Sequence, residues 1–347
     1  MLHTVLSSVT RIAPFARGTP AHRPLPRSRW QSGDYVVARV TRSRGTLGVI
    51  ELANGRDAEV IDGDLVVGAL GVRHATLEAT GDWRAVAADG AMHALTRAGV
   101  LGRCTSISRW MKPLVELTYA GHVMLRQRPC RMLDFAVAGS SGRLAAPVVL
   151  LIGTSMDAGK TVSAKAIVRR LKRRGLRVGG AKLTGVGRLS DILAMQDAGA
   201  DVVLDFVDAG LPSTVCEREE FEAALDRITS VFARQSVDVV VAEAGASPLE
   251  PYNGAAAVER LGDAVACTVL CASDPYAVLG VMSAFGLRPD LVAGRCASTR
   301  AGIELVERLA GVPALDLTDP ASTGRLDALL ANAIDPDRAT RSGPEAA

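Results

Sequence analysis

A nine-residue loop, residues 153–161, constrains the fold of this chain more than any other segment. It follows the apolar run 148–152 and precedes apolar residues at helical spacing, such as Ile167 and Leu171. A glycine-rich loop between a strand and a helix directs backbone N–H groups at phosphate oxygens, while a lysine and a hydroxyl add charge neutralisation and a Mg²⁺ ligand. We therefore predict a phosphate-binding loop rather than a structural turn. Its residues are Gly153, Thr154, Ser155, Met156, Asp157, Ala158, Gly159, Lys160 and Thr161.

Alternating strand and helix patterns fill the second part of the chain. Apolar runs typical of buried parallel strands recur there, with helical patterns between most of them. The runs are residues 148–152, 176–183, 202–206, 237–242, 265–272 and 291–293. Such alternation predicts an α/β fold with a parallel sheet and helices on both faces. Ligands of these sheets bind at the carboxyl ends of the strands, which is where the loop lies.

The first part of the chain has short apolar runs that are closed by turn residues. Pairs such as Asn54-Gly55 and Asp62-Gly63 between period-2 stretches are typical of antiparallel strands. We therefore expect a small, barrel-like β-rich domain before the parallel sheet. The predicted segments are the β-rich domain at 33–140, a helix near 91–101 inside it, a linker at 138–142 and the α/β domain at 146–333.

The two ends of the chain lack the pattern of a folded element. Residues 1–30 hold five arginines, four prolines and no acidic residue, a composition that also resembles a transit peptide. The prolines interrupt any long amphipathic helix, so we predict a disordered leader at 1–32 and a disordered tail at 334–347. Beyond the leader, 35 basic and 37 acidic residues leave a formal charge of −2. Nucleic acid is not expected as a partner, because its binding surfaces are strongly basic.

Hydropathy and cysteine usage indicate the cellular compartment of the protein. The longest apolar stretch, residues 145–153, has nine residues, whereas crossing a bilayer takes about 20. No membrane partner is therefore expected. The six cysteines are scattered without a CxxC pair, which predicts free thiols in a reducing compartment, the cytoplasm.

Four motifs in order carry a resemblance to known proteins. The loop, read as Gly-Thr-x4-Gly-Lys-Thr, is similar to that of dethiobiotin synthetase and the cobyrinic acid a,c-diamide synthases, which are ATP-dependent, amide-forming P-loop proteins. Residues 181–185, 190–196 and 243–247 resemble the motifs that follow it in that family. The resemblance covers residues 147–317 and implies a P-loop NTPase-type sheet.

The resemblance also implies roles for the matching residues. Lys160 would hold the β- and γ-phosphates of ATP, and Lys182 would bridge the γ-phosphate and a substrate carboxylate. Thr161, Asp191 and Glu243 would supply oxygen ligands to Mg²⁺. Lys160, Lys182 and Glu243 are the implied catalytic residues. For Asp191 an alternative stays open, because an acidic residue in the first turn of a helix also stabilises that helix.

Further polar residues are candidates for substrate contact. Those in the α/β domain are Thr184, Ser247, Tyr252 and Asn253. In the β-rich domain, Arg73 and His74 form a polar pair that is either a surface turn or a contact for an acidic substrate.

Taken together, the motifs imply an enzyme that uses ATP and Mg²⁺ to phosphorylate the carboxylate of a small molecule or amino acid, so that an amine can form an amide. Related synthetases place their active site at a dimer interface, which implies a homo-oligomer.

Two other interpretations of the function remain. Asp205-Phe206 and Tyr252-Asn253-Gly254 also resemble a P-loop family that contains D-glutamate N-acetyltransferases, for which acetyl-CoA would occupy the loop. The third interpretation is a nucleotide-dependent switch or binding protein.

Overall fold

The computed structural model describes residues 3–16, 18–43, 45, 48–139 and 144–334. The predicted tail lies outside this part except for Ile334, and of the predicted linker only Ala138 and Gly139 are described. Within the described residues, strands β1–β12 precede the predicted linker and the strands and helices of a parallel-sheet domain follow it.

The β-rich domain is built from short strands with small turns between them. They are β1 (Thr4–Leu6), β2 (His22–Arg23), β3 (Tyr35–Arg42), β4 (Val49–Glu51), β5 (Asp57–Glu59), β6 (Leu65–Leu70), β7 (Val72–His74), β8 (Ala79–Asp82), β9 (Ala91–Ala94), β10 (Val100–Ile107), β11 (Glu116–Leu125) and β12 (Arg128–Pro129). Strands β6, β3, β11, β9 and β10 pair in that order, and β10 pairs back to β6. This pairing closes a ring of five strands, while β4 and β5 form a separate hairpin. The predicted small β-rich domain is confirmed.

The helix predicted near residues 91–101 is wrong. Strand β9, a turn and the start of β10 occupy this segment, and both strands pair with neighbours in the ring. Met92 and Ala94 are buried while Ala91 and His93 are half-buried, which is the alternation of a strand. Gly99, at a φ of +86°, lies in the turn. The apolar spacing suited either structure, and pairing with β11 selects the strand.

Residues 3–16 and 18–32 are part of the fold, so the predicted disordered leader at 1–32 is wrong over these described residues. Strand β1 pairs in parallel with β6, with Thr4 opposite Leu65. Val5, Val9 and Trp30 are buried in the core. The sequence did not indicate these buried residues, because each is an isolated apolar residue in an arginine-rich segment that has no periodic pattern.

A buried ion pair joins this N-terminal segment to the parallel-sheet domain. Arg11 Nη2 lies 2.6 Å from Asp205 Oδ1 and 3.0 Å from Asp208 Oδ2. The Asp205 side chain is fully buried, and its Oδ2 has no hydrogen-bond partner within the described residues. The guanidinium of Arg11 therefore neutralises negative charge that water cannot reach.

Asp208 is expected to make stability depend on pH. Burial, and then the charge of Asp205, raise the pKa of Asp208 to about 6, although Arg11 opposes the shift. The folded protein thus binds this proton more tightly than the unfolded chain, whose Asp titrates near pH 4. The contribution of Asp208 to the unfolding free energy is therefore full below about pH 4 and is lost as the pH rises through about 6.

The variant Asp208→Asn tests this expectation. Urea unfolding of both proteins at several pH values gives the difference in unfolding free energy, wild type minus variant. That difference is expected to fall between about pH 4 and pH 6.5. A difference that stays flat or rises over this range contradicts the assignment.

The second sheet is entirely parallel. Its strands are β13 (Val148–Gly153), β14 (Val178–Thr184), β15 (Val202–Asp205), β16 (Val239–Ala244), β17 (Val265–Cys271) and β18 (Leu291–Ala293). They lie in the order β15-β14-β16-β13-β17-β18. All six predicted apolar runs form these strands, because side chains buried on both faces give continuous apolar sequence.

Helices cover both faces of this sheet. They are α1 (Lys160–Arg173), α2 (Leu189–Asp197), α3 (Arg218–Arg234), α4 (Gly254–Leu261), α5 (Pro275–Phe285), α6 (Arg300–Ala310) and α7 (Thr323–Ile334). Val149 and Leu151 belong to the core that includes α1, α2 and α7. Val148 and Leu150 belong to the core of α3–α6, which is continuous with the β-rich domain. The predicted α/β fold is confirmed.

Two further expectations concern the surroundings of the chain. Among the described residues no helix combines the length and apolar character that a membrane span requires. All six cysteines are described, and each is a free thiol.

Candidate functional site

The loop predicted to bind phosphate joins the central strand β13 to helix α1. Gly153 is the last residue of β13, and α1 begins at Lys160. Gly159, which precedes the helix, has a φ of +101°, a conformation that favours glycine. A Cβ atom at this position would also lie 2.9 Å from the Cα of Gly294. The loop is therefore packed tightly against the turn that follows β18.

Lys160 bends back across this loop. Its Nζ donates a hydrogen bond to the carbonyl oxygen of Ser155 at 2.8 Å, and the residue is only 6% exposed. A Cβ atom on Gly153 would lie 2.5 Å from that Nζ, so glycine at this position leaves the room that the ammonium group occupies. The result is a cradle of backbone with one positive charge in it, which fits a phosphate chain.

Side chains from neighbouring strands meet beside the loop. Lys182 on β14 lies in register with Glu243 on β16 and with Asp205 on β15. Thr161 Oγ1 donates to Glu243 Oε2 at 3.2 Å, and Lys182 Nζ lies 2.5 Å from Asp191 Oδ2. The structure thus brings Thr161, Lys182, Asp191 and Glu243 together around the start of α1.

The charges of this cluster are strongly coupled. Burial lowers the pKa of Lys182, but the charges of Asp191 and Glu243 outweigh it, so the pKa is raised overall. Burial, and then the charge of Asp191, raise the pKa of Glu243, although Lys160 and Lys182 oppose them. In the structure Lys182 contacts Asp191, and the charges of both lysines act on Glu243. A bound phosphate would take the place of a carboxylate as the partner of a lysine, and a bound cation would take the place of a lysine as the partner of a carboxylate.

The oxygen ligands beside the loop fit a Mg²⁺ ion whose coordination shell is completed by phosphate oxygens. Thr161 offers a hydroxyl, and Glu243 and Asp191 offer carboxylates. Within the described ranges no group of three His, Cys, Asp or Glu side chains is placed to hold a metal ion alone. Mg²⁺ usually takes one or two protein oxygens and fills its remaining positions with phosphate oxygens and water.

A cavity of about 510 Å³ opens over the loop and is walled by both domains. On one side it is lined by Lys160, Thr161, Lys182, Asp191 and Glu243, with Met156, Asp157 and Gly159 of the loop beside them. On the other side it is lined by Arg73, Glu78, Thr96, Arg97 and Met111 of the β-rich domain. Gly153, Thr154, Ser155 and Ala158 do not line it; Thr154 Oγ1 accepts from Ser273 N, and the Ala158 carbonyl accepts from Arg295 N.

The wall contributed by the β-rich domain holds residues that sequence reasoning left undecided or missed. Arg73, considered as either a surface turn or a substrate contact, is buried at the cavity edge. Its guanidinium donates to the carbonyl of Leu95 at 2.7 Å and pairs with Glu78. Neither Glu78 nor Arg97 belongs to a motif. In the sequence, the one indication of this wall was the position of Arg73 in a short strand next to a turn.

The predicted substrate residues do not reach the cavity. None of Thr184, Ser247, Tyr252 and Asn253 is among the described residues that line it. Thr184 donates to the Gly245 carbonyl, and the Ser247 hydroxyl accepts from Leu249 N. The fully buried Tyr252 accepts from His74 N at 2.8 Å, and Asn253 donates to the carbonyls of Thr214 and Cys216. Each of these four side chains thus has a hydrogen-bond partner within the chain, and Tyr252 joins the two domains.

The combination of strand, loop, bent lysine and helix is that of a P-loop fold. The second domain has a P-loop NTPase-type fold, and we call it the P-loop domain. Its central strand leads into the phosphate cradle, and the neighbouring strand β16 carries Glu243 beside Thr161.

Among known proteins, several solved structures resemble part of this chain. No protein family matches the sequence, and no curated protein does. A DUF1611 family protein from Anabaena variabilis is 16% identical over 56% of this chain and 62% of that chain, with a TM-score of 0.39. The FtsY protein of Elizabethkingia anophelis is 14% identical over 56% and 67%, with a TM-score of 0.40. The nickel-bound HypB of Helicobacter pylori is 15% identical over 55% and 88%, with a TM-score of 0.38.

Proposed function

We propose that this chain binds a nucleoside triphosphate with Mg²⁺ at residues 153–161 and transfers the γ-phosphoryl group to the carboxylate of a small molecule. One observation carries the proposal. A single cavity joins the loop with Lys160, the paired Lys182 and Asp191, and the buried guanidinium of Arg73 on the opposite wall. Such a cavity has a place for phosphates and, facing it, a place for an anionic acceptor.

The chemistry balances without any redox or proton-shuttling group. A carboxylate oxygen of the acceptor forms a bond to the γ-phosphorus, and the bond from that phosphorus to the β–γ bridging oxygen breaks. The nucleoside diphosphate leaves with the electron pair, and an acyl phosphate remains. An amine then attacks the carbonyl carbon, phosphate leaves, and the proton that the amine loses passes to the departing phosphate. Bound Mg²⁺ would neutralise charge on the β- and γ-phosphates.

The residues of the chain supply positions and charge for this transfer. Lys160 contacts the phosphates from within the loop, and Thr161 is oriented by its hydrogen bond to Glu243. Lys182 exchanges its contact with Asp191 for one with the γ-phosphate and the acceptor. Arg73 attracts the acceptor carboxylate from the other wall. Most of the catalysis of phosphoryl transfer comes from such positioning and electrostatic stabilisation.

A nucleotide-dependent switch is the second candidate, with water as the acceptor. The contact between α2, which carries Asp191, and the hairpin formed by β4 and β5 favours it. Gly55 in the turn of this hairpin packs so closely on Leu193 of α2 that a Cβ atom there would clash. If α2 moves when the bound nucleotide changes, this contact would therefore transmit the movement to the β-rich domain.

A thermal-shift panel of ATP, GTP and acetyl-CoA, each with and without Mg²⁺, tests these functions. A ligand at 100 times its dissociation constant stabilises the folded protein by about 2.7 kcal/mol. We expect a shift with ATP or GTP that grows when Mg²⁺ is present. A shift with acetyl-CoA alone, independent of Mg²⁺, would contradict nucleotide binding and select the N-acetyltransferase interpretation.

Acceptor-dependent turnover separates the two nucleotide functions. A pool of small carboxylic acids, supplied with ammonium as the amine, is expected to raise the release of nucleoside diphosphate. Hydroxylamine in place of ammonium would trap the acyl phosphate as a hydroxamate. Hydrolysis that no acid in the pool accelerates, together with nucleotide-dependent dimerisation, would instead select the switch.

A further inference from the structure

Helix α2 begins without a capping side chain of its own. The residue before it, Arg188, has an extended backbone with a φ of −160°, and its side chain makes no capping hydrogen bond. The first N–H groups of a helix have no partner inside the helix and need an acceptor from elsewhere. Ser, Thr, Asp or Asn usually provides it at the residue before the helix. The acceptor of α2 must therefore come from another part of the chain.

Glu51, the last residue of β4, provides this acceptor. Its Oε2 accepts from the backbone N–H of Leu189 at 2.8 Å, and its Oε1 accepts from that of Ser190 at 3.0 Å. Ser8 Oγ donates to the same Oε2 at 2.5 Å, and Glu51 is only 3% exposed. A buried carboxylate of the β-rich domain thus caps a helix of the P-loop domain, where its charge also suits the helix dipole.

The capped turn carries a residue of the candidate site. Asp191 directly follows the two residues that Glu51 holds, and its Oδ2 lies 2.5 Å from Lys182 Nζ. We infer that Glu51 is a positioning residue, which fixes Asp191 relative to Lys182 and Glu243 from across the domain boundary. This inference rests on the proposed function, because it assigns Asp191 to the Mg²⁺–nucleotide site.

The same hairpin also touches the acceptor wall. The N–H of Glu51 donates to the carbonyl of Arg97 at 2.7 Å, and the Arg97 guanidinium pairs with Asp57 on β5 at 2.9 Å. Arg97 lines the cavity. Glu51 therefore contacts the acceptor wall through its backbone and the nucleotide side through its carboxylate, so the β-rich domain both lines the cavity and holds Asp191 in place.

The variant Glu51→Gln removes the charge and keeps the size of the side chain. In the nucleotide-free protein, hydrogen exchange at the amides of Leu189 and Ser190 is expected to speed up about tenfold, in line with the loss of a helix cap. The Mg²⁺ concentration for half-maximal binding of a fluorescent ATP analogue is expected to rise about 5- to 10-fold. Binding of the same analogue in EDTA is expected to stay unchanged.

Two controls separate positioning from general stability. Glu59→Gln changes an exposed carboxylate on the other strand of the hairpin, so it is expected to alter neither readout. Ser8→Ala removes one hydrogen bond to Glu51 and is expected to shift both readouts in the same direction by a smaller factor. It also keeps the test available if Glu51→Gln folds poorly.

A double-mutant cycle with Asp191→Asn decides whether Glu51 acts through Asp191. If it does, adding Glu51→Gln to Asp191→Asn changes the Mg²⁺ dependence no further, because coupled residues are not additive. Additive effects, or an unchanged Mg²⁺ dependence in Glu51→Gln, would overturn the positioning role alone. A wild-type chain that binds no nucleotide would overturn the proposed function, and the hydrogen-exchange result would still show whether Glu51 caps α2.

Discussion

Replacing Lys160 by alanine is expected to reduce nucleotide-dependent turnover by roughly 100- to 1000-fold, the range seen when one group that stabilises a charged transition state is lost. The ammonium of Lys160 lies across the loop, 2.8 Å from the Ser155 carbonyl, and is the positive charge inside the cradle. Lys182 does not replace it, because Lys182 lies on strand β14 outside the loop and has its own proposed role between the γ-phosphate and the acceptor. Steady-state release of nucleoside diphosphate and equilibrium nucleotide binding measure the effect.

Lys165→Ala is the matched control for this experiment. Lys165 lies five residues further along the same helix and does not line the cavity. It also loses an ammonium group, so a general effect of charge on the protein would appear in both variants. Turnover that survives Lys160→Ala would contradict both the proposed phosphoryl transfer and the role of the loop.

Replacing Arg11 by methionine is expected to lower the free energy of unfolding by about 3–5 kcal/mol, which is typical when one partner of a buried ion pair is removed. The change leaves Asp205 and Asp208 without their cation, and Asp205 is fully buried. Methionine keeps most of the apolar volume, so the loss is chiefly electrostatic. Urea unfolding followed by circular dichroism measures it.

Arg29→Met serves as the control, because Arg29 is an exposed arginine in the same N-terminal segment. A disordered leader would make the two variants behave alike. We expect the Arg11 variant to be strongly destabilised and the Arg29 variant to match the wild type within about 0.5 kcal/mol, as surface substitutions usually do. Equal stabilities would contradict the buried ion pair.

Local sequence patterns predicted the parts of the fold that depend on continuous burial. The six strands of the P-loop domain are largely buried, so each contains a mainly apolar run. The segment 91–101 was predicted wrongly because its apolar residues satisfy both periods. Its pairing with β11 is a contact that the local sequence does not contain.

The two sides of the candidate site differ in how far the sequence predicted them. Lys160, Thr161, Lys182, Asp191 and Glu243 belong to motifs at strand ends, and the structure brings them together at one edge of the sheet. The opposite wall depends on how the β-rich domain docks, which no local pattern encodes. Tyr252 and Asn253 belong to a motif as well, but the tyrosine is buried against the other domain instead of facing the cavity.

The ion pair between Arg11 and Asp205 also bears on synthesis of the chain. Its partners are 194 residues apart in sequence. At about 5–20 residues per second, roughly 10–40 s separate their emergence from the ribosome. During that time Arg11 lacks the two carboxylates that pair with it in the finished protein. The ion pair that ties Arg11 to the P-loop domain therefore forms only after β15 has been synthesised, whereas β1 pairs with the much nearer strand β6.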